Sequence, residues 1–329
     1  MTDAARAPVV KRDLLVLSDL GAPGVLALLA ETEMYERLRH HADHPRPLAG
    51  RCVALLFEKA STRTRVSLEV AVVELGGHPM VLTAAGSQIA RGEPTEDTAR
   101  VLGRSVAAIA YRTGPPERLE TMARASSAPV INALSDDAHP LQVLADLYTV
   151  RSARGRLEGL RYAWVGDSSN VARSWIEAAG LLGLDLTVAS PAGFGPPEAE
   201  VSAARARGGK ITLSSDPVAA TRGADVLMTD VWVSMGQEAE ASARTAALEG
   251  YRLTRALVEG ASPEAVVLHC LPAHRGEEID ADVIDGPRSF VWEQVSARLH
   301  TAKAVLAWVL GGTSAGSAAA APTSLSRLS

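Results

Sequence analysis

The chain has 329 residues, of which 47% are hydrophobic, 22% charged and 4% aromatic, and its formal net charge is -5. That length and apolar content suit two globular domains with sizeable cores, and the acidic balance argues against a nucleic-acid partner. The two cysteines, Cys52 and Cys270, form no disulfide framework and fit a reducing, cytoplasmic setting, while the lack of about 18 uninterrupted apolar residues leaves no expected membrane span.

In chain order, leucines at helical spacing follow Ser18 and Asp19, either of which can cap a helix within residues 13–42. "RCVALLF" (51–57) reads as a buried strand and "RVSLEVAVVELGG" (65–77) as a helix ended by a glycine pair. Then come "HPMVLT" as a strand, "DTARVLGRSV" as a helix, "AAIAYRT" (107–113) as a strand, "PERLETMARAS" as a helix and "APVINAL" as a strand. "HPLQVLADLYTVRSARG" opens a long helix. After Gly155 the alternation resumes, with strands at "LRYAWVG", "LDLTVAS", "KITLSS", "DVLMTDVW" and "AVVLHCLP". Helices are expected at "VARSWIEAAGLLG", "PEAEVSAARARGG", "PVAATRGA" and, near the end, "ARLHTAKAVLAWVLG". This rhythm predicts an α/β protein of two domains, 1–150 and 151–310, each a mainly parallel sheet flanked by helices. Residues 311–329 are Gly, Ser, Ala, Pro and Thr-rich and are expected to form a disordered tail.

Ligands of open parallel sheets bind beyond the carboxyl ends of strands. Polar clusters stand at those ends repeatedly: "EKASTRTR", Arg112 and "SDDAHPLQ" in the first half, "GDSSN", "DVWVSMGQE" and "HCLPAHRGEE" in the second. In the first cluster, Ser61, Thr62 and Thr64 offer hydroxyls and Arg63 a planar guanidinium where a helix begins, which suits a phosphate. A plain helix cap with solvated arginines accounts for the same residues. No Walker pattern and no G-x-G-x-x-G is present, so nucleotide and dinucleotide sites are not expected. His139 and Gln142 open a helix at another strand end and can donate to a carbonyl and an amide. Asp167 and Asn170 suit an amino-acid head group, and Asp230 can accept from an ammonium. Cys270 and His274 are too few for a tetrahedral metal site, and a packed structural cysteine accounts for Cys270 as well.

Taken in this order, the motifs resemble the aspartate/ornithine carbamoyltransferase family. "STRTR" with "HPLQ" resembles the superfamily, and "DVWVSMGQE" with "HCLPAHRGEE" resembles its ornithine branch, over about Asp13 to Leu310. The resemblance implies a carbamoyl-phosphate-binding domain (1–150) followed by an ornithine-binding domain (151–310), with a last helix at about 298–310 packing back on the first. It implies carbamoyl transfer from carbamoyl phosphate to L-ornithine, or to another amine such as putrescine or a modified ornithine, with no metal or other cofactor. A homotrimer, or an assembly of trimers, is implied as well. By the same resemblance the carbamoyl phosphate ligands are Ser61, Thr62, Arg63, Thr64, Gln88, Arg112, His139, Gln142, Cys270, Leu271 and Arg298, with Gln88 lent to a neighbouring subunit. Arg63, Arg112, His139 and Cys270 would be catalytic, and Asn170, Asp230, Ser234 and Met235 would hold ornithine. Leu141 stands where the family commonly has Cys or Thr, and Ser169 where the ornithine branch shows Asn.

Overall fold

A computed structural model describes residues 11–233 and 238–311. Ser234 and Met235, and the tail beyond Gly311, lie outside the described residues.

The first half contains helix α1 (Gly21–Arg37), strand β1 (Cys52–Phe57), helix α2 (Thr62–Glu74), strand β2 (His78–Thr83), helix α3 (Thr95–Gly103) and strand β3 (Ala108–Arg112). Helix α4 (Pro116–Ala125), strand β4 (Val130–Leu134) and helix α5 (Pro140–Arg154) follow. The second half runs β5 (Arg161–Val165), α6 (Asn170–Leu182), β6 (Asp185–Ala189), α7 (Glu198–Ala206), β7 (Lys210–Ser214), α8 (Pro217–Thr221) and β8 (Val226–Thr229). It closes with α9 (Ala241–Leu248), α10 (Arg255–Gly260), β9 (Val266–His269), α11 (Ala281–Ile284) and α12 (Val291–Val309). Each strand read from the sequence is present. The short helices α9 to α11 were not expected, because they carry too few turns to show a periodicity.

The strands form two sheets, ordered β2-β1-β3-β4 and β7-β6-β5-β8-β9, with every strand pair parallel. Both faces of a parallel sheet must be covered, and the apolar runs Val53–Leu56 and Val266–Leu268 are accordingly buried. In each sheet the strand order reverses once, between β1 and β3 in the first and between β5 and β8 in the second. Such a reversal leaves a crevice beyond the strand ends where the covering helices diverge.

The last helix packs back on the first domain, against α1, α2 and α5. It starts at Val291, nearly two turns earlier than the pattern "ARLH" suggested, since Gln294 and Arg298 are buried rather than solvated. Neither Ser18 nor Asp19 caps α1. The Asp19 carboxylate instead accepts from the N–H groups of Leu15 (2.7 Å) and Val16 (3.0 Å), and α1 begins at Gly21 with no side-chain cap. Contacts that tie the lobes together include Glu177 of α6, which accepts from the amides of Leu17 and Ser18, Ser174, which accepts from the His139 amide at 2.9 Å, and Asn170, which donates to the Ser135 carbonyl at 2.7 Å.

Glu31, on the buried face of α1, is 7% exposed, and one of its carboxylate oxygens has no partner. Burial pushes its carboxyl up from 4.5 to about 7. The folded chain thus holds this proton more tightly than the unfolded chain. The stabilisation it confers is complete below pH 4.5 and is lost as pH rises through 7, amounting to up to about 3 kcal/mol. Glu31→Gln is therefore expected to raise Tm at pH 8 and to leave it nearly unchanged at pH 4.5. Calorimetric scans at the two pH values check this, and an equal shift at both would refute it.

Candidate active site

The two crevices face each other across a cleft of about 920 Å³. Its floor on the first-domain side is the start of α2. Ser61 is extended at φ -160° and its hydroxyl accepts from the Thr64 amide at 3.3 Å, so the cap reading of the sequence holds for Ser61. Thr62 and Arg63 occupy the first turn and line the cleft, where the free N–H groups of the helix end point. Arg112 ends β3, where the pairing with β4 slips between Tyr111 and Arg112; such an irregularity re-aims the side chain that follows it. His139 sits just before α5 and is 3% exposed.

The second domain contributes Asn170 at the start of α6, Asp230 after β8, and Cys270 and Leu271 after β9, all lining the cleft. Gly166, at φ +116°, makes the turn from β5 toward Asp167. Leu271 adopts φ +58°, a left-handed conformation that is uncommon for a bulky side chain, and its amide is held by His269 Nδ1 at 2.9 Å. Arg298 reaches the cleft from α12.

Eleven of the thirteen expected site residues that fall among the described ones line this cleft, along with Asp167 and His274, which the sequence had also pointed to. Gln142 does not: it has no exposed surface and stands behind Arg298, which donates to its Oε1. Gln88 lies outside the cleft as well, exposed in a short 3-10 turn (Gln88–Arg91). Lys59 and Asp136, also on the cleft wall, belong to the clusters "EKASTRTR" and "SDDAHPLQ", where nothing in the sequence singled them out.

The charges in the cleft can be sorted by partner. Lys59 pairs with Asp136 at 2.8 Å. Asp167, a candidate for an amino-acid head group, is instead taken by Arg244 of α9; burial raises its pKa and Arg244 opposes the rise. Asp230 is different. It is 7% exposed and has no basic partner among the described residues; its donors are the Cys270 thiol at 2.9 Å, the Ser169 hydroxyl at 3.2 Å and the Val231 amide at 2.8 Å. Arg63, Arg112 and Arg298 likewise have no carboxylate partner among the described residues. The last donates only to neutral atoms, Gln142 Oε1 and Thr64 Oγ1. Burial, aided by the neighbouring Arg63, pushes Arg112 down to about 10, and Arg298 is pushed down to about 10 chiefly by burial. Arg112 Nε and His139 Nδ1 are buried without a partner among the described residues. Burial, then the three guanidiniums, holds His139 well below its ordinary value, so it is a neutral imidazole at pH 7. Burial and then Asp230 push the Cys270 thiol up, so it stays protonated, which excludes a resting thiolate nucleophile.

Three guanidiniums and one carboxylate, none with an ionic partner among the described residues, thus share the cleft with His139, whose Nδ1 also lacks a partner there. Buried cations of one sign repel unless an anion joins them. Behind them sits Asp146, 2% exposed in α5, which burial raises to about 6. A charge inside the apolar run "VLADLYTV" was the available sequence signal for it.

Two family models match nearly the whole described chain: "Aspartate/ornithine carbamoyltransferase, carbamoyl-P binding domain" over residues 12–152, and "Aspartate/ornithine carbamoyltransferase, Asp/Orn binding domain" over residues 158–309. The chain belongs to the aspartate/ornithine carbamoyltransferase family. Within that family it is 53% identical over 304 residues to the ornithine carbamoyltransferase of Acidothermus cellulolyticus, covering 91% of this chain and 96% of that one. It is 46% identical over 303 residues to the ornithine carbamoyltransferase of Methanoculleus marisnigri, covering 92% and 98%. The solved ornithine carbamoyltransferase from Pyrococcus furiosus superposes with a TM-score of 0.88 at 44% identity, covering 94% of this chain and 100% of that one. The carbamoyltransferase family's two models divide the cleft between them: Arg63, Arg112 and His139 fall in the carbamoyl-P part, and Asn170, Asp230 and Cys270 in the Asp/Orn part.

Proposed function

We propose that the chain transfers the carbamoyl group of carbamoyl phosphate to the δ-amine of L-ornithine, giving L-citrulline and inorganic phosphate. The charge inventory of the cleft carries this reading. A phosphate dianion matches Arg63 and the start of α2, with Ser61, Thr62 and Thr64 supplying hydroxyls. Arg112 and His139, each with a buried orphaned donor site, are placed to polarise the carbamoyl carbonyl. Cys270 and Leu271 flank the carbamoyl nitrogen, and Arg298 backs the phosphate. The one unpaired carboxylate, Asp230, receives the α-ammonium of the amino acid, with Asn170 beside it. Ser234 and Met235 are assigned to the same head group by resemblance.

The neutral δ-amine attacks the carbamoyl carbon, the bond from that carbon to the phosphate oxygen breaks, and the amine proton leaves with phosphate. Fixed donors aimed at the developing oxyanion and the departing phosphate supply the main catalytic effect, and joint binding supplies proximity. The step draws on no metal or cofactor. We assign the protein to the cytoplasm, to arginine metabolism, and to a homotrimer or an assembly of trimers. Exposed Val66 and Val73 on one face of α2, and Gln88 standing clear of its own cleft, support a subunit contact there.

A citrulline-release assay with carbamoyl phosphate tests the amine. Ornithine is expected to exceed putrescine and acetylornithine by about a thousandfold or more in kcat/KM, because unmatched polar groups in the pocket penalise such analogues heavily, and to exceed lysine, longer by one methylene, by about tenfold or more. Preference for putrescine or acetylornithine would transfer the assignment to that amine. No calorimetric heat from a phosphonate mimic of carbamoyl phosphate would remove the donor site altogether.

A further inference from the structure

Asp146 does not line the cleft, and among the described residues no arginine or lysine bonds it. Its carboxylate instead collects three neutral N–H donors: Gln142 Nε2 and Gln294 Nε2 on Oδ1, each at 2.7 Å, and Trp175 Nε1 on Oδ2 at 3.1 Å. A carboxylate can only accept, so each glutamine must turn its nitrogen inward and its oxygen outward. Gln142 Oε1 then accepts from Arg298, whose other nitrogen donates to Thr64 Oγ1 at 2.7 Å. Gln294 Oε1 accepts from the His269 amide at 2.9 Å. The His269 ring extends that arm, accepting from the Leu271 amide on Nδ1 and donating to Glu278 from Nε2 at 3.1 Å.

One carboxylate therefore sets the polarity of two hydrogen-bond chains. The first ends on the start of α2 and the guanidinium of Arg298. The second ends on the turn after β9 that carries Cys270 and Leu271. The chains join both lobes through α5 and α12, and Asp146, Gln142 and Gln294 are each no more than 2% exposed. A buried charge is rarely the most stable occupant of a core, and apolar replacements are often neutral or better. Fully satisfied, however, such a network fixes one arrangement of its members.

We propose that Asp146 is a positioning residue for carbamoyl transfer: through Gln142 it aims Arg298, and through Gln294 it fixes the His269–Leu271 turn, keeping the donor grip and the turn in one mutual geometry. This inference rests on the carbamoyl-transfer reading above.

The test uses the polarity. Asparagine at position 146 offers one acceptor and one donor. With its oxygen toward the glutamines, its amide nitrogen meets the indole N–H of Trp175; turned over, it opposes both glutamines. Asp146→Asn is expected to lower kcat about tenfold to a hundredfold, the scale of a small misplacement of reacting groups. Trp175→Phe removes the opposing N–H and, by opening a cavity, lowers Tm on its own. Added to Asp146→Asn it is nevertheless expected to recover kcat about threefold or more, a coupling of the size found between contacting residues. A purely structural role predicts the opposite, a double variant slower than either single one, and that result overturns the proposal. So does Asp146→Asn turning over within about twofold of the unsubstituted protein. If Asp146→Asn does not fold, Gln294→Leu cuts the second chain alone. It should lower kcat about fivefold or more and carbamoyl phosphate affinity much less, because Arg298 keeps its aim through Gln142, and equal losses in both refute the two-chain picture. An unsubstituted protein that forms no citrulline overturns the reaction itself, and the role of Asp146 falls with it.

Discussion

Arg63→Ala is expected to reduce citrulline formation roughly a hundred- to a thousandfold, the equivalent of about 2.7–4 kcal/mol of lost transition-state stabilisation, while Tm stays level or rises. The two halves of this result have one cause. Arg63 lies half-buried in the first turn of α2, with no carboxylate partner among the described residues, and burial depresses its pKa. It sits near two further guanidiniums, Arg112 and Arg298, on which its charge acts unfavourably. Its removal therefore relieves that repulsion in the folded state and gives up only a partly opposing attraction to Asp230. With phosphate present the balance reverses, because the dianion gains charge on its oxygens as the carbamoyl bond breaks. Initial rates with both substrates, paired with thermal scans of the free protein, measure the two effects together. Turnover within tenfold of the unsubstituted protein would show that the phosphate does not sit at the start of α2.

The second large effect falls on the amine side. Asp230→Asn is expected to raise the KM for ornithine by about tenfold to a hundredfold, as for a lost hydrogen bond to a charged group, with carbamoyl phosphate affinity nearly unchanged. Of the three carboxylates on the cleft wall, Asp136 is paired with Lys59 and Asp167 with Arg244, leaving Asp230 for an incoming ammonium. Asparagine preserves an acceptor for the Val231 amide while removing the charge, so the strand end should hold its shape. Steady-state kinetics with each substrate varied in turn decide the matter. An equal rise in both KM values would place Asp230 in general packing rather than in amine recognition.

Much of the fold and part of the site could be read in the sequence because both are local there. A strand is a short apolar run, and a strand-end cluster such as "STRTR" is contiguous, so the motif and its place on the sheet come together. Arg112 was legible for the same reason: a charge closing the apolar run "AAIAY" must face something polar. Asp146, Gln294 and Arg244 were not legible in the same way. Each sits in a helix whose pattern is otherwise unexceptional, and its meaning depends on a partner 77 to 148 positions away. The early start of α12 was missed for a related reason, since Gln294 and Arg298 look solvated until α5 is placed against them. Gln142 shows the limit in the other direction. Its motif was read correctly, yet three-dimensional packing sets it behind Arg298 instead of on the cleft surface.

The return of α12 also bears on how the polypeptide comes off the ribosome. Val305, Leu306 and Val309 help complete a hydrophobic cluster whose other members include Leu28 and Leu29 of α1 and Leu68 of α2. During synthesis, the N-terminal lobe must wait with that apolar surface uncovered until Val291–Val309 has emerged. Domains usually mature in order from the N-terminus, but here the first lobe reaches its native core last, and it acquires Arg298 in the same event.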